Sequence, residues 1–195
     1  MIIVEKKNNL FPVFLKLDQL KVLLVGAGKV GYEKTRALIK NSPEVCLTIV
    51  ANDICSSIVK LSGEKDNITI INRKFIYNDL DEKDMIICAT NDQLLNQRIA
   101  REAKKKGILI NVTDAPELCD FYLSSVVQKG NLKIAISTNG KSPVMAKRIK
   151  QLLEKVLPDR IDELIRNMNI YRDSLKGDIQ DKVEKLNDLT KSFIT

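Results

Sequence analysis

The first half of the chain alternates short apolar runs with longer segments in which apolar residues recur at helical spacing. The apolar runs predict five strands, at 22–25, 46–50, 68–72, 85–89 and 108–112. The intervening segments predict helices at 29–40, 56–61 and 94–106, the last of them ended by a glycine at 107. Such strand–helix–strand repeats predict a parallel sheet with helices on its faces, so we expect an α/β fold.

The pattern changes after residue 113. Two apolar runs flank a polar turn that contains Gly130, and they predict a hairpin over 121–127 and 132–137. Ser142 and Pro143 then mark a helix start, because serine caps the first turn and proline fits the first helical position. Pro158 ends this helix.

Two further amphipathic helices follow, separated near Gly177. Their apolar stripes consist of Ile161, Leu164, Ile165 and Met168 in one helix and Ile179, Val183, Leu186 and Leu189 in the other. Because a lone helix cannot bury its stripe by itself, we expect the stripes to pack on this chain or on a second copy. The chain therefore divides into residues 1–113, a middle segment 114–144 of a kind that often serves dimerisation, and a helical module 145–195.

The composition narrows the class of protein. A chain of 195 residues with 44% hydrophobic and 29% charged residues is expected to fold rather than to stay disordered. The longest uninterrupted apolar runs fall far short of the roughly 20 residues of a membrane span, and the first residues lack a signal-peptide pattern. We expect a cytoplasmic protein that does not engage membranes.

Cysteine and histidine usage narrows the chemistry further. The four cysteines are widely separated with no C-x-x-C spacing, so we expect buried free thiols rather than disulfides or a zinc site: Cys46, Cys55, Cys88 and Cys119. The chain has no histidine. This excludes Ser-His-Asp and Cys-His sites and any imidazole metal ligand. Carboxylates, lysines, tyrosines and hydroxyls are left for proton transfer, and we expect no resident metal.

The positive charge is concentrated in one part of the chain. Residues 1–150 carry 24 Lys and Arg against 16 Asp and Glu, whereas residues 151–195 carry 8 against 9. A positive field attracts anions, and the candidate anions here are nucleic acid, a phosphate-bearing cofactor and a polycarboxylate substrate. The alternative interpretation of the charge is a generally basic, solvated surface that binds no ligand. Nucleic acid is the weakest of these, because no helix is basic along one face and aromatic residues are scarce.

A glycine-rich loop joins the first predicted strand to the first helix. Gly26, Gly28 and Gly31 have G-x-G-x-x-G spacing, which suits a tight turn, a close approach to pyrophosphate and close helix packing. We interpret the loop as a dinucleotide site, with a plain packing turn as the alternative. Asn52 and Asp53 follow the second strand, where an acid would bind the ribose hydroxyls, and no arginine stands there, which favours NAD over NADP.

Asp114 follows the fifth predicted strand. Ligands of open parallel sheets bind outside the carboxyl ends of the strands, so Asp114 is expected in the same crevice as the glycine loop. With histidine absent, it is the leading candidate for proton transfer. The alternative is a turn or cap residue before Pro116, and Asp120 is a weaker candidate for the catalytic role.

A second polar loop precedes the helix that begins at Pro143. Hydroxyl, amide and ammonium groups gathered at a helix start suit the binding of carboxylates or phosphates. A capping turn beside a solvated basic face is the alternative. The candidate substrate-binding residues are Ser137, Thr138, Asn139, Lys141 and Ser142.

Several segments together resemble one known family. They are "LFPVFLKL", "VLLVGAGKVGYEK", "ICATNDQLLNQRI", "NVTDAPELCDF" and "IAISTNGKSPVMAKRIKQLLEKVLP", and they occur in the family's order over residues 10–158. The chain resembles the siroheme-synthase N-terminal family, the NAD-dependent precorrin-2 dehydrogenases. It departs from many members in having glycine rather than alanine at Gly31 and asparagine rather than glycine at Asn139.

The resemblance implies a Rossmann-like parallel sheet, a small α+β dimerisation segment, a C-terminal helical module and a homodimer. It implies oxidation of precorrin-2 to sirohydrochlorin by NAD, with the family's essential aspartate at Asp114. Implied cofactor contacts beyond the glycines are Lys29, Val30, Asn52, Asp53, Thr90 and Asn91. Some members also insert iron into sirohydrochlorin, so ferrous or cobaltous ion is a further candidate substrate. No residue of the sequence decides whether this chain inserts a metal.

A different class of function competes with this one. A regulatory module that senses NAD without turnover explains the glycine loop equally well. It gives no reason for Asp114 or for the polar loop at 137–142. Measuring turnover of precorrin-2 with NAD distinguishes the two.

Overall fold

A computed structural model describes residues 8–63 and 65–191, which form two compact units divided between Leu123 and Ser124. The first unit contains a five-stranded parallel sheet in the order β3-β2-β1-β4-β5. Its strands are β1 (Lys21–Ala27), β2 (Cys46–Ile54), β3 (Ile68–Asn72), β4 (Met85–Cys88) and β5 (Leu109–Val112). Its α-helices are α1 (Lys29–Asn41), α2 (Ser56–Ser62) and α3 (Gln93–Lys105). The α/β fold predicted from the sequence is confirmed.

The sheet is covered by apolar side chains on both faces, which explains why its strands read as nearly continuous apolar runs. Val22 and Leu24 of β1 belong to one core cluster, together with Leu38 of α1. The alternate residue Leu23 belongs to a second cluster, which includes Ile99 of α3. Successive side chains of β1 therefore supply opposite layers, as the two-residue period of a strand requires.

The strand order creates a crevice at one edge of the sheet. From β1 the chain continues outward through β2 to β3, and then returns to place β4 on the other side of β1. The connections before and after this reversal run to opposite faces, so they diverge at the carboxyl ends of β1 and β4. The glycine loop begins at this point.

One strand differs from its predicted length. β2 continues to Ile54, four residues beyond the predicted end, so Asn52 and Asp53 lie within the strand and not after it. The cause is an irregularity beside Gly26: the pairing of β1 with β2 shifts between Val25 and Ala27, and Ala27 then pairs with Ile54. This pairing is non-local and leaves no trace in the apolar pattern of β2.

The second unit contains a hairpin and three helices. They are β6 (Ser125–Lys129), β7 (Leu132–Ile136), α4 (Pro143–Val156), α5 (Ile161–Ser174) and α6 (Ile179–Thr190), so the predicted hairpin and helices are present. Gly130 forms the turn at φ +56, and the Asp162 carboxylate accepts hydrogen bonds from the Asn131 backbone N–H at 2.7 Å and from its side-chain amide at 2.8 Å. The first residue of α5 is buried, whereas no described residue of α6 is.

The cysteines are free, but the expectation of burial is wrong for one of them. Cys88 at the end of β4 is buried, and this burial raises the pKa of its thiol to about 12. Cys55 and Cys119 are half-buried. Cys46, the first residue of β2, is exposed. Within the described ranges, the helices lack the length and apolar character needed to cross a bilayer.

Candidate functional site

Three neighbouring strands of the first unit end side by side. The Ala89 backbone N–H donates to the Val25 carbonyl at 2.8 Å, which joins the end of β4 to the end of β1. The Thr113 backbone N–H donates to the Cys88 carbonyl at 2.9 Å, which joins the end of β5 to that of β4. The glycine loop, the segment after β4 and the segment after β5 are therefore adjacent at one edge.

The three loop glycines meet different surroundings. Gly26 has φ +101, and a Cβ there would lie 2.5 Å from the Ala89 carbonyl oxygen. A Cβ on Gly31 would lie 2.2 Å from the Gly26 carbonyl oxygen. A Cβ on Gly28 would meet no atom within 4 Å, since Gly28 faces open space at the start of α1. Two of the glycines thus permit close packing, and the third leaves room for a ligand.

A cleft of about 760 Å³ opens in front of this loop. Of the residues predicted to bind the cofactor, eight line it: Gly26, Gly28, Lys29, Val30, Asn52, Asp53, Thr90 and Asn91. Gly31 does not, because it lies against Gly26. None of the described side chains caps the N-terminus of α1, so its first backbone N–H groups are available to a phosphate. Open space at Gly28 and an uncapped helix start fit the pyrophosphate of a dinucleotide.

Among the cleft residues that the sequence reasoning missed, two follow β3. They are Lys74 and Phe75, which line the same cleft as Asp53. The Phe75 ring packs edge-on against Tyr77, with 5.8 Å between the ring centroids. The sequence could have indicated both residues, because β3 is parallel to β2 and the carboxyl ends of parallel strands lie at the same edge of the sheet. Lys74 therefore adds a cation to the cleft that Asn52 and Asp53 line, although no arginine directly follows them in the sequence.

Asp114 lines a smaller pocket of about 290 Å³ in the same unit. This pocket and the cleft share Thr90 and Asn91. The other polar lining residues come from the start of α3 and from the segment after β5: Gln93, Asn96, Gln97, Thr113 and Glu117. The lining residues that the structure describes include no lysine or arginine. The pocket therefore offers carboxylate, hydroxyl and amide groups to a ligand.

The backbone holds Asp114 in an uncommon conformation. Its φ is +60, and the Ala115 N–H donates to the Val112 carbonyl at 3.4 Å across the turn. A non-glycine residue at positive φ is uncommon and costs free energy. Asp114 is exposed and lines the pocket. It is also a turn residue, as the alternative interpretation expected.

The weaker candidate, Asp120, is tied to β5. Its carboxylate accepts a hydrogen bond from the Ile110 backbone N–H at 3.0 Å and lies 4.0 Å from the Lys104 ammonium nitrogen. It does not line the pocket that contains Asp114. Of the two carboxylates, Asp114 lines the pocket and Asp120 is bound to the β5 backbone.

Thr90, at the wall shared by cleft and pocket, is held by Asn96 of α3. The Thr90 hydroxyl donates to Asn96 Oδ1 at 2.6 Å, and Asn96 Nδ2 donates to the Thr90 carbonyl at 3.0 Å. Asn96 is 4% exposed. Sequence reasoning missed Asn96, because its burial and its bonds to Thr90 depend on contacts outside α3. Asp92 caps α3 by accepting from the Leu95 N–H at 2.9 Å.

The loop predicted to bind substrate lies in the second unit. Within it, the Ser142 backbone N–H donates to the Thr138 hydroxyl oxygen at 3.2 Å, and the Met145 N–H donates to Ser142 Oγ at 3.3 Å. Asn139 has φ +54, and Lys141 is exposed. The loop is thus a capping turn, as in the alternative interpretation, and the substrate-binding role of these residues and of Ser137 stays a prediction. Among the residues with described positions, no group of three or more cysteines and carboxylates could hold a metal ion.

Two family models match the chain. One, described as "Putative NAD(P)-binding", matches residues 13–125. The other, described as "Sirohaem biosynthesis protein central", matches residues 129–155. The first covers more than half of the chain, and the two follow one another without overlap.

Curated relatives carry the name siroheme synthase. One from Vesicomyosocius okutanii is 36% identical over 87% of this chain and 36% of its own length. Another, from Pseudoalteromonas atlantica, is 34% identical over 86% of this chain and 36% of its own length. The chain therefore spans about a third of the length of these relatives.

Among solved structures, the chain is similar to one named "SirC, precorrin-2 dehydrogenase". The TM-score is 0.74 with 23% sequence identity, and the match covers 92% of this chain and 89% of the other. At this identity the likeness concerns the fold.

Proposed function

We propose that this chain, which belongs to the family described as "Putative NAD(P)-binding" and also matches the central model of siroheme biosynthesis proteins, oxidises precorrin-2 to sirohydrochlorin with NAD. The observation that carries the proposal is the wall of Thr90 and Asn91, which the cofactor cleft shares with the Asp114 pocket. A hydride acceptor on one side of this wall and a carboxylate on the other suit a reaction in which a hydride and a proton leave one substrate.

The cleft would hold the dinucleotide through residues already described. The N-terminus of α1 would receive the pyrophosphate beside Gly28, and Asn52 and Asp53 would accept hydrogen bonds from the ribose hydroxyls. Bound there, NAD supplies the acceptor for a hydride. The carboxylate of Asp53 disfavours a phosphate on that ribose, which is our reason for proposing NAD over NADP.

Asp114 would act as the base. Its carboxylate would accept the proton that precorrin-2 loses, and the turn at positive φ would fix its position in the pocket lining. The carboxylate, hydroxyl and amide oxygens that line the pocket accept hydrogen bonds, and its described lining includes no cation. The pocket therefore suits the N–H groups of a tetrapyrrole better than its carboxylates. The positive charge of residues 1–150 would serve the carboxylates of the substrate from outside this pocket.

The test is a single reaction. Purified protein is mixed with NAD and precorrin-2, and both sirohydrochlorin and NADH are followed by absorbance. We expect the two products to form in equal amounts. Retained NAD binding without either product would favour the NAD-sensing module. Supplying sirohydrochlorin with ferrous or cobaltous ion then tests metal insertion as a second reaction, independent of dehydrogenation.

We further propose a homodimer. In the second unit, α4 exposes Met145, Leu152 and Val156, and α6 exposes Ile179, Val183 and Leu189. Exposed apolar side chains on two helices of one unit are typical of surfaces that another chain covers. Light scattering of the purified protein measures its mass directly, and a monomer at all concentrations would contradict this proposal.

A further inference from the structure

We infer that Asn96 is a positioning residue for the nicotinamide end of the cofactor, acting through Thr90. The inference rests on the cofactor site proposed above. It assigns a role to a buried amide that touches neither Asp114 nor the glycine loop by a hydrogen bond.

Asn96 lines the Asp114 pocket, but its described side-chain hydrogen bonds go to one residue. Both side-chain hydrogen bonds described for it go to Thr90, one to the hydroxyl and one to the backbone carbonyl. An amide that is 4% exposed must have its polar groups satisfied, because leaving them unpaired costs free energy. Asn96 and Thr90 therefore fix each other's orientation.

Thr90 has little freedom at this point. On one side, its backbone N atom would lie 2.9 Å from a Cβ placed on Gly26, so the segment after β4 lies directly against the glycine loop. On the other side, it lines the pocket of Asp114. A shift of Thr90 therefore changes both cavities at once.

The cleft assigns an end of the cofactor to Thr90. Asn52 and Asp53 lie at the end of β2, on the side of β1 away from β4, and would hold the adenosine ribose. The segment after β4 lies on the other side, next to Asp114. A dinucleotide that crosses the N-terminus of α1 places its nicotinamide toward Thr90.

The experiment compares two ligands that differ only at that end. NADH carries nicotinamide, and ADP-ribose lacks it, so the ratio of their dissociation constants reports on the nicotinamide end without any turnover. We expect Asn96→Ala to weaken NADH binding about 10-fold, because Thr90 loses the two hydrogen bonds that hold it beside the nicotinamide end, and to weaken ADP-ribose binding less than about twofold. We expect kcat to fall by about 100-fold, because small misplacements of reacting groups cost that much.

A matched control is available at Asn67. Its amide also donates twice to backbone carbonyls, those of Pro43 at 2.9 Å and Val45 at 2.8 Å, at the opposite edge of the sheet. Asn67→Ala should lower thermal stability as Asn96→Ala does and leave the ligand ratio unchanged. Thr90→Val removes the hydroxyl bond to Asn96, together with the contacts of that hydroxyl with the Asp92 backbone, without opening a cavity under α3. It should change the ratio in the same direction as Asn96→Ala, and the double variant should change it by less than the sum of the two single effects, because the hydroxyl–amide bond is lost in both.

The outcomes separate this inference from the proposed function. Equal weakening of NADH and ADP-ribose in Asn96→Ala, or additive effects in the double variant, would reduce Asn96 to a structural residue and overturn the inference. A shifted ratio in a protein that never oxidises precorrin-2 would support the inference and refute the proposed function alone. A wild-type protein that does not bind NADH would refute both.

Discussion

Replacing Gly28 by alanine should separate cofactor binding from folding. The new methyl group would meet no protein atom within 4 Å, and φ of −78 suits alanine. Alanine restricts the unfolded chain, which stabilises by about 0.4–1 kcal/mol. It is also a poorer N-cap than glycine, which costs a similar amount. The free energy of unfolding should therefore change by less than about 1 kcal/mol.

The same methyl group would occupy space that the pyrophosphate needs. A hydrogen bond from a backbone N–H to a charged phosphate contributes about 1.5–3 kcal/mol. Losing one such bond raises the Kd for NAD by about 10- to 100-fold. Titration calorimetry measures the Kd, and urea unfolding measures the stability. The expected result is a large change in the first quantity with almost none in the second.

Two other glycines calibrate the result. Gly63 has φ −64 and lies at the end of α2, outside the cleft lining, so Gly63→Ala should leave the Kd unchanged. Gly26→Ala should destabilise the fold itself, since its Cβ would lie 2.5 Å from the Ala89 carbonyl oxygen at φ +101. Normal NAD affinity in Gly28→Ala, or a loss of affinity that only follows a loss of stability, would refute the assignment of this loop.

Three further predictions concern other parts of the chain. Asp114→Ala should lower kcat by about 10²- to 10⁴-fold with an unchanged Kd for NAD, and a near-normal rate would exclude it as the base. The side chain of Asp79 is 7% exposed, and the Arg73 guanidinium at 2.6 Å lowers the pKa of its carboxyl group. The pair should stabilise the folded state fully above the unfolded pKa of about 4, and this stabilisation should be lost as the pH falls below that value. Asp79→Asn should therefore cost about 1–3 kcal/mol at pH 7 and flatten the decline in urea stability between about pH 4 and 2. Ile179→Ser combined with Val183→Ser should convert the proposed dimer to monomer in light scattering; an intact dimer would place its interface elsewhere.

The candidate site shows where local patterns were sufficient. Gly28 and Asp114 could be predicted because each follows an apolar run, and the carboxyl ends of parallel strands share one edge. The extent of β2 could not, since its last residues pair with Ala27 only after the shift beside Gly26. Lys74 could have been found by applying the same rule to β3, but its distance from the glycine motif along the chain concealed it.

By itself, the sequence determined the alternation of strands and helices, the position of the glycine loop and the placement of an acid after β5. These features follow from periodicity and from the conformational range of single residues, which are local properties. Only the tertiary structure decided that Thr90 stands between the cofactor cleft and the Asp114 pocket and that Asn96 holds it there. Strand order and the burial of one amide depend on contacts between distant segments, and no local pattern encodes them.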